Sequence, residues 1–161
     1  MLYQNWMLAD FDAIDKRILR ALQRNGRLPN NELADEVGLS PSPCLRRVRM
    51  LEHAGVIQRY VAIVDPAKVG AKLSLFARVW LHSQDAETID QFVAAIQDLP
   101  QVVECYIVLG ESDALLKVVA ADLDDYRRFQ MAHLTRKNGV ERVKTDLPSQ
   151  VVKQTYALPI R

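Results

Sequence analysis

Apolar residues in the first third of the chain recur at spacings of three and four. Phe11, Ile14, Ile18, Leu19 and Leu22 share one face of a segment from Asp10 to Asn25. Its acids come early (Asp10, Asp12, Asp15), its bases late (Lys16, Arg17, Arg20, Arg24), and Gly26 stands at the end. That periodicity and dipole-matched charge predict a first helix. Asn30 or Asn31 is placed to cap a short second helix carrying Glu32, Leu33, Ala34 and Val37, with Gly38 in the left-handed conformation at its end. A third helix follows after a few residues. Ser40 caps it, Pro41 takes the first helical position, Cys44, Val48 and Leu51 form its apolar stripe, and Gly55 closes it. Val56 to Val64 then reads as β, and Asp65-Pro66 with Lys68 and Gly70 breaks the chain into two differently patterned halves.

The second half alternates period-two and period-3.6 segments. Strands are predicted at Leu73–Leu81, Val102–Leu109 and Ala114–Ala120, helices at Glu87–Gln97 and Asp122–Leu134, and an extended stretch from Val143 to Thr155 interrupted by Pro148. The order β-α-β-β-α-β is the ferredoxin-like arrangement, with both helices on one sheet face. The fold class is therefore α+β, an N-terminal winged helix-turn-helix joined to a C-terminal ferredoxin-like domain. The expected divisions are 8–64 for the first domain, 65–72 for a linker and 73–161 for the second. In the first of these strands Phe76, Arg78 and Trp80 point away from the face holding Leu75, Ala77, Val79 and Leu81. Large apolar groups on an uncovered face mark a dimer interface, or pack under a loop of their own chain.

A helix-turn-helix works by setting its last helix at a steep angle, so that the helix N-terminus can enter a DNA major groove. Ala34 is small where the second and third helices approach, Gly38 permits the turn, and Val37, Leu39, Cys44, Val48 and Leu51 lock the pair. Ser40, Ser42, Pro43, Arg46, Arg47 and Arg49 remain on the outward side, with Arg59 beyond, as candidates for phosphate and base contacts. Charge sharpens this picture. The whole chain carries only +1, but Ser40 to Tyr60 holds four arginines against the single acid Glu52, and the acids of the first helix hide the excess. Near-neutrality thus predicts modest non-specific affinity concentrated in one helix and strengthened by self-association.

Asn25-Gly26-Arg27, Val37-Gly38-Leu39-Ser40-Pro41-Ser42-Pro43-Cys44-Leu45-Arg46-Arg47-Val48 and Leu51-Glu52-His53-Ala54-Gly55-Val56-Ile57 resemble the Lrp/AsnC family, and the resemblance continues through the second half. It implies a transcription factor that binds double-stranded DNA, forms dimers that assemble into tetramers or octamers, and responds to a free amino acid. Gly110-Glu111-Ser112-Asp113 is, by its residues, either an ordinary acidic turn or a loop whose N–H groups meet a carboxylate while Asp113 meets an ammonium. The resemblance favours the second reading. It also implicates Leu123, Thr145 and Asp146 in lining or coupling the pocket, beside Gly110, Ser112 and Asp113. Family members often place aromatics around the Asp where this chain has Ser112 and Ala114. Fewer apolar walls leave less methylene burial for a large aliphatic ligand, so a small or polar amino acid, cysteine included, is the expected effector.

Other chemistry has little support. Cys44 and Cys105 have no paired spacing, which fits a reducing cytoplasm, and His53, His82 and His133 stand apart from any nucleophile or ligand pattern. No phosphate-binding glycine loop, metal site, cofactor site or membrane-length apolar run is evident. Residues 1–6 read as a loose arm or an upstream start. The alternative function is a small ferredoxin-like metabolic enzyme or an amino-acid-binding protein without a gene-regulatory role, since fold alone does not give function.

Overall fold

The structure, a computed structural model, describes residues 11–160. The expected arm at 1–6 and the Asp10 start of the first helix lie outside the described residues. The chain divides into two compact units, one of residues 11–63 with 153–160, the other of residues 64–152.

The first unit is built on three helices, α1 (Ala13–Arg24), α2 (Asn30–Val37) and α3 (Pro41–His53). Their apolar stripes converge in one core of Ile18, Leu19 and Ala21 from α1, Leu33, Ala34 and Val37 from α2, and Cys44, Val48 and Leu51 from α3. Gly38 closes α2 at φ 75°, and the next residue returns its N–H to the Ala34 carbonyl at 2.9 Å. Arg17 donates to the Val37 carbonyl, satisfying one of the orphaned acceptors at that helix end.

The caps differ from expectation. Pro29, not an asparagine, holds the N-cap position of α2, and Asn30 lies inside the first turn, where its Nδ2 donates to the Pro41 carbonyl at 2.9 Å. That side chain therefore ties the start of α2 to the start of α3. Ser40 occupies the N-cap of α3 but makes no side-chain hydrogen bond there. The reason is in the sequence. An N-cap oxygen seeks the second or third helical N–H, and the third residue, Pro43, has none.

Two extended segments also behave differently. Val56–Val64 forms no strand, and Val61 and Ile63 are 68% and 77% exposed. Alternation suits the segment to a ladder, but no strand among the described residues pairs with it. The chain beyond Asp146 is likewise not a strand, and 153–160 groups with the helical unit and not with the C-terminal domain expected for it. There the Gln23 amide brackets Leu158, donating to its carbonyl at 3.0 Å and accepting from its N–H at 2.5 Å. Arg20 donates to the Ile160 carbonyl at 2.8 Å, and the Ile160 side chain packs against the helical core.

The second unit begins with a 3₁₀ turn, Pro66–Val69, whose start is capped by Asp65. It continues as β1 (Leu73–Leu81), α4 (Ala86–Ile96), β2 (Val102–Ile107), β3 (Ala114–Ala120), α5 (Leu123–His133) and β4 (Val140–Asp146). The sheet order is β2-β3-β1-β4 with every pairing antiparallel, which is the ferredoxin-like topology. Leu75, Ala77, Val79 and Leu81 of β1 and Ala114, Leu116, Val118 and Ala120 of β3 bury against Phe92 and Ile96 of α4 and Tyr126 and Phe129 of α5. Both helices start on aspartate caps, Asp85 and Asp122. The Ser83 hydroxyl and the Thr88 N–H hold the Asp85 carboxyl down to about 2. Gly139, at φ 82°, turns the chain into β4, where an added Cβ would lie 3.1 Å from Thr88 Cγ2 and 3.2 Å from its carbonyl oxygen.

Candidate functional site

The recognition-helix residues separate into two groups. Ser42, Arg46 and Arg49 follow one another at helical spacings of four and three, all exposed, so they share one stripe opposite the buried Cys44, Val48 and Leu51. Ser40 stands exposed just before them, Pro43 is half-buried, and Arg59 lies exposed on the segment that follows α3. Among the described residues, Arg46, Arg49 and Arg59 join no ion pair.

Arg47 is different. Its Nη1 lies 2.8 Å from Asp12 Oδ2 and 2.8 Å from Asp15 Oδ1, and its side chain is only 29% exposed. Asp12 also caps α1, its Oδ1 accepting from the N–H groups of Ile14 and Asp15. The Asp15 backbone and the Arg47 guanidinium both hold the Asp12 carboxyl below its usual range, and the two carboxylates raise Arg47. Arg47, expected on the outward side, thus ties α3 to the start of α1. Sequence reasoning missed it because the partners lie far from Arg47 along the chain, Asp15 by 32 residues, although the opposite charges of the first and third helices were visible.

In the second unit, Gly110–Asp113 lies in the turn between β2 and β3 and is hydrogen-bonded to the end of β1. The Asp113 N–H donates to the Val79 carbonyl, while its carboxylate accepts from the Leu81 N–H at 2.8 Å and from Gln84 Nε2 at 2.7 Å. Beside it opens a concavity of about 320 Å³ lined by Leu81, Gln84, Ile89, Ile107, Val108, Leu109, Gly110 and Asp113. This is a small-ligand volume, apolar on most sides with a carboxylate and an amide at one end. A larger, more open hollow of about 520 Å³ lies along Gln130, Arg136 and β4, with mostly polar walls and no comparable convergence of polar groups on an apolar cleft.

Of the effector residues expected from sequence, the structure brings together only Gly110 and Asp113. Ser112 does not line the concavity, and Leu123 lies exposed at the start of α5. Thr145 is hydrogen-bonded to the Tyr126 hydroxyl at 2.6 Å, and Asp146 pairs with Arg78 at 2.8 Å. The apolar residues that line the concavity come from positions other than those expected. Ile89, Ile107, Val108 and Leu109 reach it from α4, β2 and the turn that follows β2, away from the Ser112 and Ala114 positions on which the expectation stood. Gln84 was missed as well, because a polar residue just before a helix cap carries no distinctive signal.

Phe76, Arg78 and Trp80 occupy the sheet face opposite the helices, with Phe76 and Trp80 half-buried. Trp80 lies on this open face and also packs against a turn of its own chain. The Arg142 guanidinium stacks on its ring at 3.8 Å, and its Nε1 donates to the Glu111 carbonyl at 2.5 Å. The Trp80 indole thus connects the open face to the turn that carries Asp113. His53 and His82 are exposed, and His133 packs on the Phe129 ring. Among the described residues, no His, Cys, Asp and Glu cluster suits a metal ion, and no helix is long and apolar enough to cross a membrane.

Comparison with known proteins agrees with both halves. Residues 11–58 match the winged helix-turn-helix DNA-binding family, and residues 74–158 match the Lrp/AsnC ligand binding domain. The leucine-responsive regulatory protein of Escherichia coli strain K12 is 41% identical over 152 residues, which are 94% of this chain and 93% of that protein. A Neisseria meningitidis transcriptional regulator solved as an L-Met complex superposes with a TM-score of 0.88 at 36% identity, covering 92% of this chain and 96% of that one. An AsnC family regulator from Agrobacterium tumefaciens gives 0.87 at 36% identity, over 92% and 97% of the two chains. With a helix-turn-helix unit, a ferredoxin-like ligand-binding unit and close relatives along nearly its whole length, the chain belongs to the Lrp/AsnC family of transcriptional regulators.

Proposed function

We propose that the protein reads DNA with Ser40, Ser42, Pro43, Arg46 and Arg49 of the α3 region and Arg59 beyond it, under control of an aliphatic amino acid held beside Asp113. The observation that carries the DNA half is the exposed stripe Ser42, Arg46 and Arg49, whose arginines have no ion-pair partner among the described residues. Unpaired guanidinium groups on a helix end free to enter a groove suit phosphate oxygens and guanine edges. Two protomers joined through the sheet faces around Phe76, Arg78 and Trp80 would present two such helices to successive major grooves.

The effector half rests on the concavity beside Asp113. An α-ammonium would meet the carboxylate of Asp113, an α-carboxylate the backbone near Gly110, and an aliphatic side chain the walls of Leu81, Ile89, Ile107 and Leu109. The L-Met bound to the Neisseria regulator is consistent with a ligand of that class. Binding would act on DNA affinity through its differential effect on assembly states, dimer against tetramer or octamer. Calorimetric titration with leucine, methionine, isoleucine, serine and cysteine tests the ligand class, and heat from serine or cysteine alone would sink the aliphatic reading. Light scattering with and without the binding amino acid tests the assembly step. Electrophoretic shift with a duplex selected by the protein from a random pool tests the DNA half, which fails if Arg46→Ala plus Arg49→Ala leaves the shift intact.

A further inference from the structure

The acids at the start of α1 are a liability for a DNA-binding unit, because they lower the positive potential that draws phosphate. Their geometry gives them a use. Asp12 employs both of its oxygens, Oδ1 on the α1 backbone and Oδ2 on Arg47, while Asp15 approaches the same guanidinium nitrogen from the next position on the helix face. Asp15 and Arg47 are both mostly shielded, with side-chain exposures of 19% and 29%. Arg47 lies one turn after Cys44 and one turn before Leu51, at the margin of the buried stripe and beside the exposed stripe of Ser42, Arg46 and Arg49. Apolar packing of Cys44, Val48 and Leu51 is non-directional, so by itself it fixes the rotation of α3 less sharply than a hydrogen-bonded ion pair does. A guanidinium held by two carboxylates on another helix is directional, and fixes that rotation.

We infer that Arg47 is a positioning residue for DNA recognition and not a DNA contact: clamped by Asp12 and Asp15, it sets the rotation of α3 at which Ser42, Arg46 and Arg49 face the groove. The inference rests on the proposed role of α3. It has an unusual consequence, because acids that repel DNA then support sequence-specific binding. Neutralising them strengthens the general attraction to phosphate while weakening discrimination.

The test uses the full chain, the selected duplex and a mixed-sequence duplex, each titrated over a range of salt. Arg47→Gln lowers affinity for the selected duplex about tenfold, leaves affinity for the mixed-sequence duplex nearly unchanged and leaves the salt slope intact. Arg46→Ala instead flattens the slope by about 0.9 for each phosphate that is no longer neutralised. Asp12→Asn combined with Asp15→Asn lowers the ratio of selected to mixed-sequence affinity although it removes two negative charges. Exchanging the pair, Asp15→Arg with Arg47→Asp, restores that ratio, because the new arginine again lies between two carboxylates. A general loss of stability would not be expected to yield this pattern of a changed ratio at constant slope. If Arg47→Gln does not fold, the exchanged pair decides alone, and failure to restore the ratio overturns the clamp. An Arg47→Gln slope flattened like that of Arg46→Ala overturns it too, making Arg47 a phosphate contact. If Arg46→Ala and Arg49→Ala have no effect on either duplex, the α3 reading itself falls, a result distinct from failure of the clamp.

Discussion

Gly38 sets the angle between α2 and α3, and its replacement has a cost that can be worked out. The residue sits at φ 75° and ψ 39°, and a Cβ added there meets nothing within 4 Å. Alanine therefore suffers backbone strain alone, about 1–2 kcal/mol for an L-residue in the left-handed region. Reduced freedom of the unfolded chain returns roughly 0.4–1 kcal/mol, leaving a net loss of about 1 kcal/mol. In a small unit such a loss lowers the melting temperature by about 4–8 °C. Gly38→Asn should lose less, because a short polar side chain tolerates this conformation. Gly139 provides the contrast at φ 82°, since its Cβ would press on Thr88 at 3.1 and 3.2 Å. Overpacking adds to the strain, so Gly139→Ala should cost about 3 kcal/mol and act on the second unit. Calorimetric melting of the three variants, with DNA affinity measured well below the transition, checks the reasoning. An unchanged melt for Gly38→Ala, or equal losses at Gly38 and Gly139, would refute it.

Three further outcomes follow from particular contacts. Removing residues 153–161 strips the Gln23 and Arg20 hydrogen bonds and the Ile160 packing from the helical unit, so its melting temperature should fall while that of the sheet unit is unchanged, as separable transitions in calorimetry would record. Asp113→Asn keeps one oxygen, enough for the Leu81 N–H, so Gln84 must turn its amide to accept from the new NH2; the substitution also removes the charge facing an ammonium, so amino-acid binding should weaken by at least about tenfold with DNA binding retained, and titration heats equal to those of the unsubstituted chain would contradict the site. Asp85, held at about 2 from an ordinary value of 3.8, contributes stability that is present above the ordinary value and lost as pH falls through about 2. Asp85→Asn should flatten that acid limb of the stability curve, measured by denaturant titration at successive pH values.

The elements whose evidence is local were legible along the chain. The apolar periods of α1, α4 and α5, the alternation of β1 and β3, and the glycines after α2 and α3 depend on neighbours within a few residues, and they mark these elements to within a residue or two at most ends. Ser42, Arg46 and Arg49 were legible for the same reason, since helical spacing alone puts them on one face. Val56–Val64 was misread because alternation describes a segment able to pair, while a strand also needs a partner. The concavity was only half legible. Gly110 and Asp113 lie in one turn, but Ile89 and Ile107 reach the same space from α4 and β2.

The sequence by itself determined the two kinds of secondary structure, their order, the exposed arginine stripe and the family, because all of these are carried by spacing and residue type. Tertiary structure decided which side chains meet. It paired Arg47 with Asp12 and Asp15, brought Ile89 beside the Asp113 turn, and brought 153–160 back onto α1. Each of these contacts joins residues far apart in the chain, and local periodicity carries no information about which distant positions will be neighbours.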